Sequence, residues 1–173
     1  VPVIVNLPTQ ITNGSEQNWV ITQDKFGYIY FGNHDRGVIR YDGTGWQPIQ
    51  INKNPRIYSL AADENGIIYV GAEYEFGYIQ PDKKGKPEYI SLTDRIDSIP
   101  EIKVVFSVVI KDGKANFITP KYLYQYNIKE DKLLEINLTK QKLRDANRLV
   151  EINDKLIIAD NVSGFFELKD TTI

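Results

Sequence analysis

Apolar residues in this chain come in short runs, and Gly, Asn, Asp or Pro closes nearly every run. Almost no stretch carries the i, i+3, i+4, i+7 apolar period of an amphipathic helix. Runs of this length, bounded by turn residues, predict β-strands. One run is Trp19-Val20-Ile21-Thr22-Gln23-Asp24-Lys25-Phe26-Gly27-Tyr28-Ile29-Tyr30-Phe31-Gly32. It superposes without a gap on Tyr58-Ser59-Leu60-Ala61-Ala62-Asp63-Glu64-Asn65-Gly66-Ile67-Ile68-Tyr69-Val70-Gly71. Both copies share the aromatic start, the Asp-x-x-Gly turn, four apolar residues and a closing Gly. Their offset, 39 residues, is the separation of Asp24 and Asp63.

A third copy starts at Phe106 and a fourth near Leu149, and the third has a turn one residue shorter. From Asp24 to Asp154 the mean period is about 43 residues, within the roughly 40–50 of β-propeller repeats. Each copy divides into short strands. The first gives 19–23, 28–32, 37–41 and 46–51; the second gives 57–62, 67–71, 77–80 and 88–92. The third gives 104–111, 114–118, 122–127 and 133–138; the fourth gives 148–153, 155–159 and 164–168. Four strands per repeat of this length is the arithmetic of a propeller blade. The predicted fold is therefore all-β: one β-propeller segment over 1–173, with about four four-stranded antiparallel blades at about 15–52, 53–93, 101–139 and 146–173. Helical turns are expected after Thr93 and within 139–147. A strand is expected over 3–7, and a loop over 8–16.

Composition narrows the chemistry. Lys and Arg number 21 against 23 Asp and Glu, giving a net charge of −2, so no basic surface for nucleic acid is expected. Cys is 0 and His is 1. That removes disulfides, thiol nucleophiles and His-cluster metal sites, and no cofactor is expected. Aromatic residues make up 12%, with Tyr 11, which suits a pleated, half-buried surface. No apolar run reaches the roughly 18 residues of a membrane span. The chain holds no Met and starts at Val1. It is read as starting after a processing event or as cut from something longer, and a removed signal peptide is compatible with this start.

The pattern Trp19-x-Ile21-x-Gln23-Asp24-x-x-Gly27-x-Ile29-Tyr30-Phe31-Gly32-Asn33, followed by Gly37-Val38-x-x-Tyr41-Asp42-Gly43-x-x-Trp46, resembles the two-component-regulator propeller repeat. The match is close in the first copy, fair in the second and weak in the last two. The resemblance implies the N-terminal periplasmic sensor region of a Bacteroidetes-type hybrid histidine kinase, or of a related transcriptional regulator with a triple-tyrosine-motif domain. In that family the blades form seven-bladed propellers, and the sensor is thought to detect polysaccharide breakdown products. The four copies here are therefore expected to be part of a larger propeller; a complete four-bladed ring stays open as the alternative. The partners implied are a small-molecule or oligosaccharide ligand, the remaining blades of the parent chain and a homodimer mate.

Propeller loops between strands two and three share a face with the blade-to-blade loops. Those loops carry His34, Asp35 and Arg36 in the first copy, Glu73, Tyr74 and Glu75 in the second, and Lys121 in the third; Lys53, Asn54 and Arg56 link the first two copies. The candidate ligand-binding residues are His34, Asp35, Arg36, Arg56, Glu73, Tyr74, Glu75 and Lys121. Carboxylates, guanidinium, imidazole and a Tyr on one rim suit a hydroxyl-rich or anionic ligand. Asp24 and Asp63 each stand alone in a turn, without the alternating carboxylates of a calcium loop, and are read as turn residues. Asp42-Gly43-Thr44-Gly45-Trp46 is read as a tight turn feeding a packed Trp. Trp19, Tyr58 and Phe106 are read as packing between blades. No catalytic motif is present, and the segment is expected not to be an enzyme. A protein-interaction or dimerisation scaffold, and less so a carbohydrate-active propeller enzyme, remain alternatives.

Overall fold

The structure, a computed structural model, describes residues 4, 6–53, 55–96 and 102–169. Its strands form four antiparallel sheets in strict sequence order. Blade one contains β1 (Asn18–Gln23), β2 (Ile29–Asn33), β3 (Val38–Tyr41) and β4 (Trp46–Ile49). Blade two contains β5 (Ile57–Ala62), β6 (Ile68–Ala72), β7 (Phe76–Pro81) and β8 (Pro87–Ser91). Blade three contains β9 (Ser107–Lys111), β10 (Lys114–Ile118), β11 (Tyr122–Asn127) and β12 (Lys132–Asn137). Blade four contains β13 (Ala146–Ile152), β14 (Lys155–Asp160) and β15 (Gly164–Leu168). The blades are all-β, as the repeat predicts, and nearly every strand lies within a residue or two of its expected place.

Three cores fill the spaces between sheets, each shared by two neighbours. Ile68 and Val70 of β6 pack with Tyr30, Val38 and Ile49 of blade one. The alternate residue, Tyr69, turns to the other face and packs with Phe117 and Tyr126 of blade three. In β10 the same alternation sends Ala115 and Phe117 toward blade two, and Ile118 toward Leu149 and Ile158 of blade four. This period of two is why the middle strands read as nearly continuous apolar runs: both of their faces are buried. The first strands β1, β5, β9 and β13 lie side by side along the inner edge of the arc.

The closing glycines of the repeat mark where one blade meets the next. A Cβ on Gly32 would stand 2.5 Å from Val20 Cγ1 and 2.8 Å from Ile57 Cγ2. A Cβ on Gly71 would press on the Ser59 hydroxyl and stand 2.7 Å from Val105 Cγ1. Close approach between blades, then, explains these two glycines. Gly27 and Gly66 serve the turns instead, with φ of 88° and 85°.

The Asp of each Asp-x-x-Gly turn is a hydrogen-bond hub. Asp24 Oδ1 accepts from the Phe26 and Tyr28 N–H groups, and Oδ2 accepts from the Tyr30 hydroxyl at 3.1 Å. Asp63 repeats the device with Asn65 and Ile67. Burial, and then the neighbouring Asp24 carboxylate, push the Tyr30 hydroxyl up to about 12. The turn after β3 is built likewise: Asp42 Oδ1 accepts from the N–H groups of Thr44 and Gly45, and Trp46 stacks on Tyr41 at 4.5 Å.

Among the described residues, three short helical turns lie outside the blades. Thr93–Arg95 is a 3₁₀ turn, as expected after Thr93. Arg95 reaches across to blade three, with Nη1 2.6 Å from Asp131 Oδ1. A second 3₁₀ turn, Leu138–Gln141, starts on Asn137, whose side chain accepts from the Thr139 N–H. Thr9–Thr12 is one α-helical turn (α1) where a loop was expected. The Pro8 carbonyl accepts from the Ile11 and Thr12 N–H groups, and proline's fixed φ suits the start of a helix. The strand expected over 3–7 lies partly outside the described residues, and neither Asn6 nor Leu7 is in a strand.

Candidate functional site

Three segments from blades one and two converge on one rim of the arc: the loop after β2, the link between the blades and the loop after β6. They enclose a concavity of about 260 Å³ lined by His34, Asp35, Arg56, Glu73, Tyr74 and Glu75, together with Asn52, Lys53 and Pro55. Six of the eight expected site residues thus meet in one place. Arg36 and Lys121 do not line it; both are exposed on other parts of the loops. Asn54 lies outside the described residues.

Backbone bonds fix the rim. The Glu73 N–H donates to the Arg56 carbonyl at 3.0 Å, and the Tyr74 N–H donates to the Lys103 carbonyl at 3.2 Å. Tyr74 is held in the left-handed region at φ 61°, with 64% of its surface exposed. A non-glycine residue in that region costs roughly 1–2 kcal/mol. An exposed ring held at such a cost is an outlier of the kind that gathers at ligand clamps. The His34 N–H donates to the Gln17 carbonyl, and its ring Nδ1 lies 2.6 Å from Asp35 Oδ1.

Glu75 differs from its neighbours. It is buried, and its Oε1 accepts from the Tyr89 hydroxyl at 3.0 Å and from the Ser91 hydroxyl at 2.7 Å. Its carboxylate braces the rim against β8. Glu73 and Glu75, two residues apart in the sequence, therefore have different surroundings. Among the described residues, no group of three or more His, Cys, Asp or Glu side chains is placed to hold a metal ion.

Two residues that position this rim are not evident from composition. Asn33, at the end of β2, accepts on Oδ1 from the N–H groups of Ser15, Asp35 and Arg36. Its Nδ2 donates to the Ser15 and Gln17 carbonyls. It is the last residue of the repeat pattern in blade one, and that position was its only signal. Lys53, also left-handed at φ 62°, turns the link toward Arg56.

No protein-family model and no curated protein matches the sequence. Solved structures do match. The extracellular domain of a protein named as a one-component or hybrid two-component system (BT4673) of B. thetaiotaomicron aligns at 19% identity with a TM-score of 0.63. That match covers 87% of this chain and 20% of the other. The extracellular domain of a second such system (BT3049) from the same organism aligns at 14% identity with a TM-score of 0.67, covering 90% and 23%. Virginiamycin B lyase of Staphylococcus aureus aligns at 15% identity with a TM-score of 0.67, covering 94% and 58%. The chain is a β-propeller segment. It spans about a fifth of the two extracellular domains and about three fifths of the lyase. No helix among the described residues is long and apolar enough to cross a membrane.

Proposed function

We propose that this propeller segment belongs to the extracytoplasmic sensor of a two-component-type signalling receptor, and that it binds a poly- or oligosaccharide-derived ligand on the rim between blades one and two. The observation that carries this reading is the convergence of His34, Asp35, Arg56, Glu73 and the strained, exposed Tyr74 on one concavity. A guanidinium and an ammonium beside carboxylates can pair with uronate or sulfate groups and with hydroxyls. The Tyr74 ring offers a face for a sugar ring. Likeness to the extracellular domains of two-component systems supports the receptor assignment, and with it a periplasmic location. We read the segment as acting by binding and not by catalysis: the Glu75 carboxylate is engaged by Tyr89 and Ser91, so Glu73 and Glu75 do not form a pair of free carboxylates.

The partners proposed with this reading are the remaining blades of the same parent chain. The outer face of blade four exposes Ile152 at 53% and Phe165 at 82%, a surface that a following blade would cover.

Calorimetry on the intact receptor with uronate-containing and sulfated oligosaccharides tests the rim. Arg56→Ala and Tyr74→Ala are expected to weaken binding about tenfold or more and to leave the melting temperature nearly unchanged. Arg36→Ala and Lys121→Ala, outside the concavity, are expected to weaken it less. Unchanged affinity in both Arg56→Ala and Tyr74→Ala would place the ligand elsewhere.

A further inference from the structure

Each of three inner strands carries a register shift near its start. In β1 the pairing passes from Asn18↔Asn33 to Val20↔Gly32, so Trp19 is the extra residue. In β5 it passes from Ile57↔Ala72 to Ser59↔Gly71, leaving Tyr58 extra. In β13 it passes from Ala146↔Asp160 to Arg148↔Ala159, leaving Asn147 extra. In blade three Phe106 holds the same place, one residue before Ser107, which pairs with Ile118. A bulge frees its extra residue from the pleat and re-aims its side chain, and bulges are over-represented beside functional sites. Here the three bulged residues and Phe106 border one space. Trp19, Tyr58, Phe106 and Asn147 line a single cavity of about 460 Å³ on the inner edge of the arc, with Asp145, Arg148 and Asn161.

The rings do touch from blade to blade, and Phe106 packs against the core shared by blades three and four, as expected, but that packing does not cover Trp19. Trp19 is 57% exposed, although it is one of the two largest side chains the sequence has to bury. The rings follow a curve: Trp19 to Tyr58 is 6.2 Å at 35°, and Tyr58 to Phe106 is 6.1 Å at 71°. The wall completed by blade four is polar. Asn147 Nδ2 donates to Asn161 Oδ1, and Asn161 Nδ2 donates to Asp145 Oδ2 at 2.8 Å. That chain uses Asn147 Nδ2 and Asp145 Oδ2 and leaves Asn147 Oδ1 and Asp145 Oδ1, on two lining residues, outside it. The Arg148 guanidinium has no partner among the described residues. One acid and one base balance, so the cavity favours no net charge.

We infer that this cavity is a second binding site, and that it takes a neutral saccharide chain. An aromatic arc meets the C–H faces of successive sugar rings, and the amides, Asp145 and Arg148 meet their hydroxyls. The site shares no lining residue with the rim concavity, and the inference does not rest on the sensor reading.

Trp19 and Trp46 are the only tryptophans, so Trp46→Phe in the full 173-residue chain leaves Trp19 as the sole reporter. Titration with linear neutral pentasaccharides (cello-, xylo-, manno- and malto-) is expected to change its emission saturably with at least one of the four. Asn147→Ala, a substitution at a half-exposed position, is expected to weaken that binding about tenfold by calorimetry, as is Tyr58→Ala, with melting curves to confirm folding. Arg56→Ala on the rim is expected to leave the Trp19 emission titration, which reads this cavity alone, unchanged. No emission change with any of the four overturns the inference, as does wild-type affinity in Asn147→Ala. Loss of binding in Arg56→Ala but not in Asn147→Ala would move the saccharide to the rim and overturn it as well.

Discussion

Asn33 in blade one and Asp160 in blade four stand at the same register position, and each gathers the N–H groups of two loops onto one side chain. Asn33 opposes Asn18 across the bulge, and Asp160 opposes Ala146 across its counterpart. Asp160 Oδ2 accepts from the Arg144 and Asp145 N–H groups at 2.7 and 2.6 Å, and Oδ1 accepts from those of Val162 and Ser163 at 3.0 and 2.7 Å. Both residues tie the loop entering a blade to the loop after its second strand. The rim owes its shape to such ties.

Asp160 makes blade four sensitive to acid. Burial pushes its carboxyl up, but the four N–H groups outweigh burial and hold it down at about 2. Its folded value is therefore depressed below the ordinary 3.8, so its contribution is complete above that value and is lost as pH falls toward 2. Asp160→Asn keeps one accepting oxygen and loses the other. It is expected to cost about 1–3 kcal/mol at neutral pH and to flatten the fall of melting temperature between pH 4 and pH 2. A variant with the wild-type acid slope would mean that other carboxylates set it.

The repeat was legible because its reasons are local. Asp24 and Asp63 sit in turns that their own side chains close, so the spacing Asp-x-x-Gly can be read without a neighbour. The aromatic positions were legible in number but not in role. Nothing local distinguishes a ring that packs between blades from one released by a bulge, because the bulge lies in the pairing of two strands. Asn147 was missed for the same reason. It ends a segment with helical composition, and only its place opposite the Ala146↔Asp160 and Arg148↔Ala159 pairs aligns it with Trp19. The buried engagement of Glu75 depends on Tyr89 and Ser91, 14 and 16 residues away.

Alanine at Asp63 removes the acceptor for two turn N–H groups and leaves the Tyr69 hydroxyl facing an apolar gap. A cost of about 1–3 kcal/mol is expected in chemical denaturation. Saccharide affinity should stay at the wild-type level, because the turn lies at the opposite end of the blade from the rim. A loss of affinity with full stability would show the reverse assignment of faces.

Tyr124 and Tyr126 give a paired test of buried hydroxyls. The Tyr126 hydroxyl donates to Asp131 Oδ1 at 2.7 Å. Tyr124 is fully buried, and its hydroxyl has no partner among the described residues. Burial pushes both hydroxyls up. Tyr124→Phe is expected to leave the melting temperature unchanged or raise it, and Tyr126→Phe to lower it by an amount equivalent to about 1–2 kcal/mol. Equal losses in both would point to an acceptor for Tyr124.

Gly71→Val should be among the most damaging single changes. The new side chain would meet Ser59 and Val105, whose main chain also accepts from the Ser59 hydroxyl at 3.2 Å. Overpacking of this kind typically costs about 1–3 kcal/mol. Gly43→Ala, where a Cβ meets nothing nearby, carries only the cost of its positive φ of 94°. Comparable midpoints for the two variants in urea would contradict a tight junction between blades two and three.

The two glycines have a consequence for how such an arc can be rebuilt. Gly32 and Gly71 let the next inner strand seat directly against them, but the same register position holds Ile118 in blade three and Ala159 in blade four. Ile118 instead fills a core with Ala146 and Leu149 of its neighbour. The junctions are therefore of two makes, and the blades are not interchangeable parts. A copy of blade two spliced in after blade three would bring Ile57 and Tyr58 to a socket shaped for Ala146 and Asn147. A recombined propeller would have to exchange both sides of a junction together, so the unit of shuffling is the seam and not the sheet.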